Sequence, residues 1–224
     1  MKRSEINREI KWAMDLLKRE NASLPCFAYW TLEEFKKKKE DIEAIKRVMQ
    51  GWDITDFGMG DYPKTGAVLF TIRNGDLNDT SLGTPYAEKF IMLKPGQRLP
   101  LHMHYKKTED IINRGGGNFQ IKLYNMGKDG EPDMLSDVTV YCDGIKRIFK
   151  AGEVITITKG NSITLTPTMY HTFWAAKDTG DAWIGEVSSV NDDNLDNCFA
   201  EKVARFAEIE EDEPAIYPLC NEYN

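Results

Sequence analysis

The chain divides by the period of its apolar positions. Ile6, Ile10, Ala13, Met14 and Leu17 recur at three- and four-residue intervals, which predicts an amphipathic helix from about Ser4 to about Asn21. Ser4 is the expected N-cap, and Pro25 closes the region. A second helical stretch opens at Thr31, which has capping-box spacing to Glu34. Leu32, Phe35, Ile42, Ile45 and Met49 mark its apolar face. From about Gly51 the pattern shortens. Apolar strings at 67–72, 89–94, 119–124, 138–141, 153–157, 162–165 and 182–188 are separated by Gly, Pro, Asn and Asp. Such spacing predicts short strands of a barrel or sandwich, with a hairpin turn or loop at 127–130. No repeat and no low-complexity linker interrupts the chain. The expectation is one mainly β domain over 1–224: helices in 1–50, a barrel over about 51–190, and an extension over 191–224. The helices would cover the barrel or build a subunit contact.

The extension is polar from Ser188 to Asn197 and acidic at Glu210, Glu211, Asp212 and Glu213. Phe199, Phe206, Ile209, Ile216, Tyr217 and Leu219 are interleaved with these groups, so the tail is expected to pack on the body and to bring carboxylates to a cleft mouth.

Composition narrows the classes. With 224 residues and 41% apolar content, the chain can build a real core. A net charge of -7 opposes nucleic-acid binding as the main task, because phosphates need a basic footprint. The run Lys36, Lys37, Lys38, Lys39 reads as a solvated helix face. Cys26, Cys142, Cys198 and Cys220 are far apart with no CxxC, as in free thiols of a reducing cytoplasm. The N-terminus has no apolar leader core and no stretch approaches the length of a membrane span. A cytoplasmic protein without a membrane partner is expected.

The chemistry concentrates in three histidines. His102 and His104, two apart, share one face of a strand. Glu109 follows five residues later and His171 much further on. Three imidazoles and a carboxylate make an N/O donor set that leaves open positions on a divalent ion. The frame Gly96, His102, His104, Glu109, Gly116 resembles the first cupin motif, G-x5-H-x-H-x4-E-x6-G, at every fixed position. The second cupin motif is matched at Pro167 and His171. Met169 stands where a glycine is usual, the Pro-to-His gap is one residue short, and Ala175 replaces the usual Asn.

Three longer strings are similar to those of the D-lyxose isomerase family, bacterial sugar isomerases of the cupin class. They are P-L-H-M-H-Y-K-K-T-E-D-I-I-N-R-G-G-G, E-V-S-S-V-N-D-D-N-x-D-N-x-F and I-E-E-D-E-P-x-x-Y, and the likeness covers nearly the whole chain. The resemblance implies a jelly-roll-like cupin β-barrel with two N-terminal helices and a homodimer. It implies a divalent metal, usually Mn²⁺, on His102, His104, Glu109 and His171. The implied reaction interconverts D-lyxose with D-xylulose, and often D-mannose with D-fructose. It also implies that Lys107 faces the active site, that Glu201 takes part in proton transfer and that Lys89 contacts substrate. Glu186, Arg205 and Asp212 are further candidates without an assigned role. Tyr105, Tyr170, Phe173 and Trp174 flank the ligands and suit the C–H faces of a sugar as well as they suit a core.

Other chemistries remain open to the same donor set. An Fe(II) oxygenase uses His and carboxylate ligands. A phosphosugar isomerase needs an anion cradle, and the barrel region has no Gly-rich loop or Arg cluster. A non-catalytic sugar-binding cupin would bind without turnover. Within isomerisation, proton transfer and a hydride shift both move hydrogen between C1 and C2.

Overall fold

The apolar strings become strands of two curled sheets in the computed structural model, which describes residues 1–38, 42–191 and 196–223. In chain order the strands are β1 (Gly51–Thr55), β2 (Ala67–Gly75), β3 (Gly83–Leu93), β4 (His102–His104), β5 (Glu109–Gly116), β6 (Phe119–Met126) and β7 (Pro132–Asp133). Then follow β8 (Val138–Cys142), β9 (Ile145–Phe149), β10 (Ile155–Ile157), β11 (Ser162–Leu165), β12 (Met169–Ala175), β13 (Ala182–Ser189) and β14 (Asn197–Phe199). One sheet has the order β1-β2-β3-β13-β5-β11-β8-β9, the other β10-β6-β12-β4-β14, with β7 beside β6. The named strand pairs are antiparallel. Each of the seven strings read from the sequence overlaps a strand, 153–157 only over Ile155–Ile157. The inward-facing set includes Leu69, Ile91, Ile111, Leu123, Ile163, Phe173 and Ile184, which form one core between the sheets.

A second core lies outside the larger sheet. Ile6, Ile10, Ala13 and Leu17 of α1 (Arg3–Arg19) pack on Trp52, Ile54, Val68, Phe70 and Met92. β1 is buried at all five positions because it has the barrel on one face and α1 on the other. The second helical stretch is helical in two pieces, α2 (Leu32–Lys37) and α3 (Glu43–Arg47), rather than continuously to Met49. The Thr31–Glu34 capping box is present. Lys38 leaves helical geometry, with its N–H bound to Phe35, inside the run of like-charged lysines. The part of this stretch at 39–41 lies outside the described residues.

Ser4 is not the N-cap of α1; Lys2 holds that position. The Ser4 N–H and hydroxyl both donate to Asp212, at 2.9 and 2.7 Å. A carboxylate from the tail thus meets the open N–H groups of the first turn, where negative charge is favoured. The acidic tail is packed, but its carboxylates go to α1 and not to a cleft mouth. Arg3 pairs with Glu211 at 2.6 Å and with Glu222, and Asn7 donates to Glu213 at 2.7 Å. Cys220 then donates its N–H to Trp52 at 2.7 Å, and Tyr223 stacks on Phe35 with ring centroids 4.4 Å apart. The four cysteines are free, and no helix among the described residues is long and apolar enough to cross a membrane.

Gly116 closes β5 at φ +69, and a Cβ there would stand 2.1 Å from the Asp181 carbonyl oxygen. Left-handed backbone and contact with a fixed carbonyl both oppose a side chain. A Gly116→Ala variant is expected to lose about 2 kcal/mol or more of stability, read as a lowered midpoint in urea with unchanged slope.

Candidate metal centre

Strand pairing assembles the three imidazoles. His102 and His104 project from the same face of β4 into the barrel, and His171 on β12 lies directly across from His102 in register. β14 pairs with the other side of β4, with Phe199 opposite His102 and Asn197 opposite His104. Glu109 opens β5 in the facing sheet. All four side chains are buried. The turn before His171 uses Thr168 at φ +66, and its N–H donates to the His104 carbonyl at 2.7 Å. The left-handed residue therefore precedes Met169, the position where a glycine is usual.

The donor atoms converge. One ring nitrogen from each of His102, His104 and His171 lies within 4.8 Å of the others. His102 Nδ1 is 2.8 Å from the Pro100 carbonyl and His171 Nδ1 is 3.0 Å from the Met169 carbonyl. A carbonyl only accepts, so both Nδ1 atoms carry the proton and both Nε2 lone pairs are bare. Glu109 Oε1 lies 3.3 Å from His104 Nε2 and 3.1 Å from His171 Nε2. These contacts are close but off the hydrogen-bond line, so both Nε2 atoms and Oε1 are buried without a hydrogen-bond partner among the described residues. Buried polar atoms are normally satisfied. Unpaired lone pairs facing one point are what a cation would satisfy, so these residues fit a divalent metal.

The protonation states agree with that fit. Burial, with His171 and His104 nearby, pushes His102 well below the usual imidazole range. Burial and the Lys107 ammonium lower His104. Burial would raise the Glu109 carboxyl, but Lys107 and His104 outweigh it and hold it well below the usual carboxylate range. Neutral imidazoles and an ionised carboxylate are the forms that ligate.

Beside the imidazoles sits a buried ion cluster. Lys107 Nζ is 2.8 Å from Glu109 Oε2 and 3.0 Å from Glu186 Oε1, and Lys89 Nζ is 3.7 Å from the same Glu186 oxygen. Lys89 and Glu186 are cross-strand partners on β3 and β13, which accounts for their meeting. Burial opposes the Lys107 charge, yet Glu109 and Glu186 raise its pKa above the ordinary lysine value. Burial also opposes ionisation of Glu186, which Lys107 and Lys89 more than offset. Lys107 is not on a strand. Its turn is held by Asp196, whose carboxylate accepts from the N–H groups of Lys106 at 2.8 Å and Lys107 at 3.0 Å.

One cavity exposes these groups to a ligand. It is lined by the three histidines, Glu109, Lys107, Lys89, Glu186, Asn197 and Arg205, with an apolar wall that includes Phe57, Phe173 and Phe199. Of the flanking aromatics, Phe173 alone lines it; Tyr105 is exposed, and Tyr170 donates its hydroxyl to Gly130 at 2.8 Å. Glu201 is not brought into this cluster. Its carboxylate accepts from Arg98 at 3.3 Å and is 41% exposed. Asp212 is likewise at α1. Glu186 and Asp196 carry more of the site than their sequence context signals. Glu186 occupies an inward position of the 182–188 alternation, which was the available clue.

The barrel, with three imidazoles and a carboxylate converging inside it, defines a cupin-type protein with a donor set that could hold a metal. The whole-chain comparisons narrow that class. Residues 1–223 match the model of the D-lyxose isomerase family, and the chain belongs to that family. It is 41% identical over 226 residues to the D-lyxose/D-mannose isomerase of Escherichia coli O157:H7, spanning 100% of this chain and 98% of that one. It is 39% identical over 225 residues to the Serratia proteamaculans D-lyxose/D-mannose isomerase, with the same coverage. Its fold is similar to the L-ribose isomerase of Acinetobacter sp. DL28 in complex with L-ribose, with a TM-score of 0.61 at 15% identity, covering 94% of this chain and 98% of that one. The Cellulomonas parahominis L-ribose isomerase with L-ribose gives 0.60 with the same identity and coverage. Family membership makes the chain an aldose–ketose isomerase.

Proposed function

We propose that the chain is a metal-dependent isomerase that interconverts D-lyxose with D-xylulose and D-mannose with D-fructose. The observation that carries this reading is the meeting, in one cavity, of unpaired buried donor atoms and the Lys107–Glu186–Lys89 ion cluster. His102, His104, Glu109 and His171 would hold a divalent ion, taken to be Mn²⁺, which supplies Lewis-acid polarisation at O1 and O2 of the open-chain sugar. Glu186, ionised between two ammonium groups, takes the proton from C2 and returns it to C1 through an enediol. The hydroxyl proton passes from O2 to its neighbour O1. Lys107 keeps its proton and offsets the negative charge that develops on oxygen. Lys89 steadies Glu186 and hydrogen-bonds the sugar. The resemblance assigned proton transfer to Glu201, and the reading moves it to Glu186 because Glu186 lines the cavity. In this reading the protein is also cytoplasmic and acts as a homodimer. Exposed Met134, Leu135, Ile145 and Ile148 around the β8–β9 hairpin support self-association.

Chelator-stripped protein should form no ketose from D-lyxose or D-mannose, and Mn²⁺ should restore both activities. Run in D2O, proton transfer leaves deuterium at C1 of the ketose formed, whereas a hydride shift does not. Ketose formation undiminished after complete metal removal would end the metal-dependent reading.

A further inference from the structure

The ligand cavity is small, about 50 Å³, which is space for roughly four waters. A sugar of five or six carbons anchored by O1 and O2 has to run out of it. A second cavity of about 160 Å³ adjoins it, lined by Asp53, Thr71, Asn74, Asn191 and Arg205 among others. Among the described residues, Arg205 is common to both linings. Two more contacts join them: Lys107 Nζ reaches Asn191 Oδ1 at 3.4 Å, and Thr71 is the cross-strand partner of Lys89. At the junction Arg205 Nη2 and Asp53 Oδ2 form an ion pair at 2.8 Å, with Asp53 buried and Arg205 nearly so. Such a pair is costly to bury for stability alone. It offers both a donor fork and an acceptor, the combination that a chain of hydroxyls uses.

We propose that the Arg205–Asp53 pair is the subsite for the end of the sugar chain farthest from the imidazoles, and that the second cavity receives the terminal carbon of a hexose. This makes the pair a determinant of hexose against pentose preference. The proposal rests on the reading of a free, open-chain aldose as substrate. An uncharged terminal hydroxymethyl group suits the site because its charges are already mutually paired.

The test uses two variants of different kinds, Arg205→Lys and Thr71→Ile. The first removes the planar fork; the second adds bulk to the second cavity and leaves both members of the ion pair in place. For each, kcat/KM is measured on D-mannose and D-lyxose, with metal content and thermal midpoint as checks. The D-mannose-to-D-lyxose ratio should fall about tenfold in each, the usual cost of one mismatched polar contact or methylene. Binding of the non-reacting alditols D-mannitol and D-arabinitol is measured by calorimetry in parallel. The wild type should favour the six-carbon alditol, and both variants should lose that preference. Equal losses on both sugars, or no alditol preference in the wild type, overturns the proposal. If the wild type converts neither sugar, the substrate reading fails by itself, and the alditols still decide the subsite.

Discussion

A His171→Ala variant is expected to lose bound metal and ketose formation together, by at least about three orders of magnitude in kcat/KM. His171 is the proposed ligand from β12, set against His102 by strand register, with its Nδ1 proton anchored on Met169. Removing the ring takes one donor from the set and opens an apolar gap beside Phe173, whose ring stacks on it at 6.4 Å. Elemental analysis should show the metal lost. The wild type should gain thermal stability on addition of Mn²⁺ because the ion binds only the folded state, and the variant should gain almost none. A variant that keeps its metal and most of its activity would remove His171 from the ligand set.

Glu186→Gln carries the second large effect. The amide has the carboxylate's shape but cannot take a proton, so kcat is expected to fall by about two to four orders of magnitude while metal content stays at the wild-type level. Loss of the anion between Lys89 and Lys107 leaves two buried ammonium groups with less compensation, and the fold should be weaker by a few kcal/mol, on the order of 3. Glu201→Gln is the informative partner. Its carboxylate shares an exposed pair with Arg98, so kcat should change by less than about threefold. The reverse result, a large loss at Glu201 and a small one at Glu186, would return the proton-transfer role to Glu201.

The unequal legibility of this site in the sequence has physical causes. His102, His104, Glu109 and His171 stand out because imidazoles two apart and a spaced carboxylate seldom serve packing alone. Lys107 and Glu186 carry no such signal. A charge within an alternating strand reads as a solvent-facing residue until its register is known, and Lys107 depends on a turn fixed by Asp196, far away in the chain. The fold shows the same division. Strands with one dry face, such as β5 and β6, alternate visibly. β1 hides because both its faces are covered. β9 hides because its residues are almost entirely exposed, so Ile145 and Ile148, on either side of Lys146 and Arg147, look like loop residues. The acidic tail was readable as packed from its interleaved aromatics, but its target, the first turn of α1, is a tertiary fact.

That target has a consequence for how the molecule is made. Arg3 finds its partners at Glu211 and Glu222, and the imidazole strand β4 gains its outer neighbour from Asn197–Phe199. During synthesis the first helix emerges well before its partners, which lie 208 and 219 residues further along, can close its N-terminal turn. β4 also lacks its β14 neighbour until that segment, made long after it, has arrived. Translation order and structural order therefore run against each other: segments made far apart in time close the first turn of α1 and cover the imidazole strand.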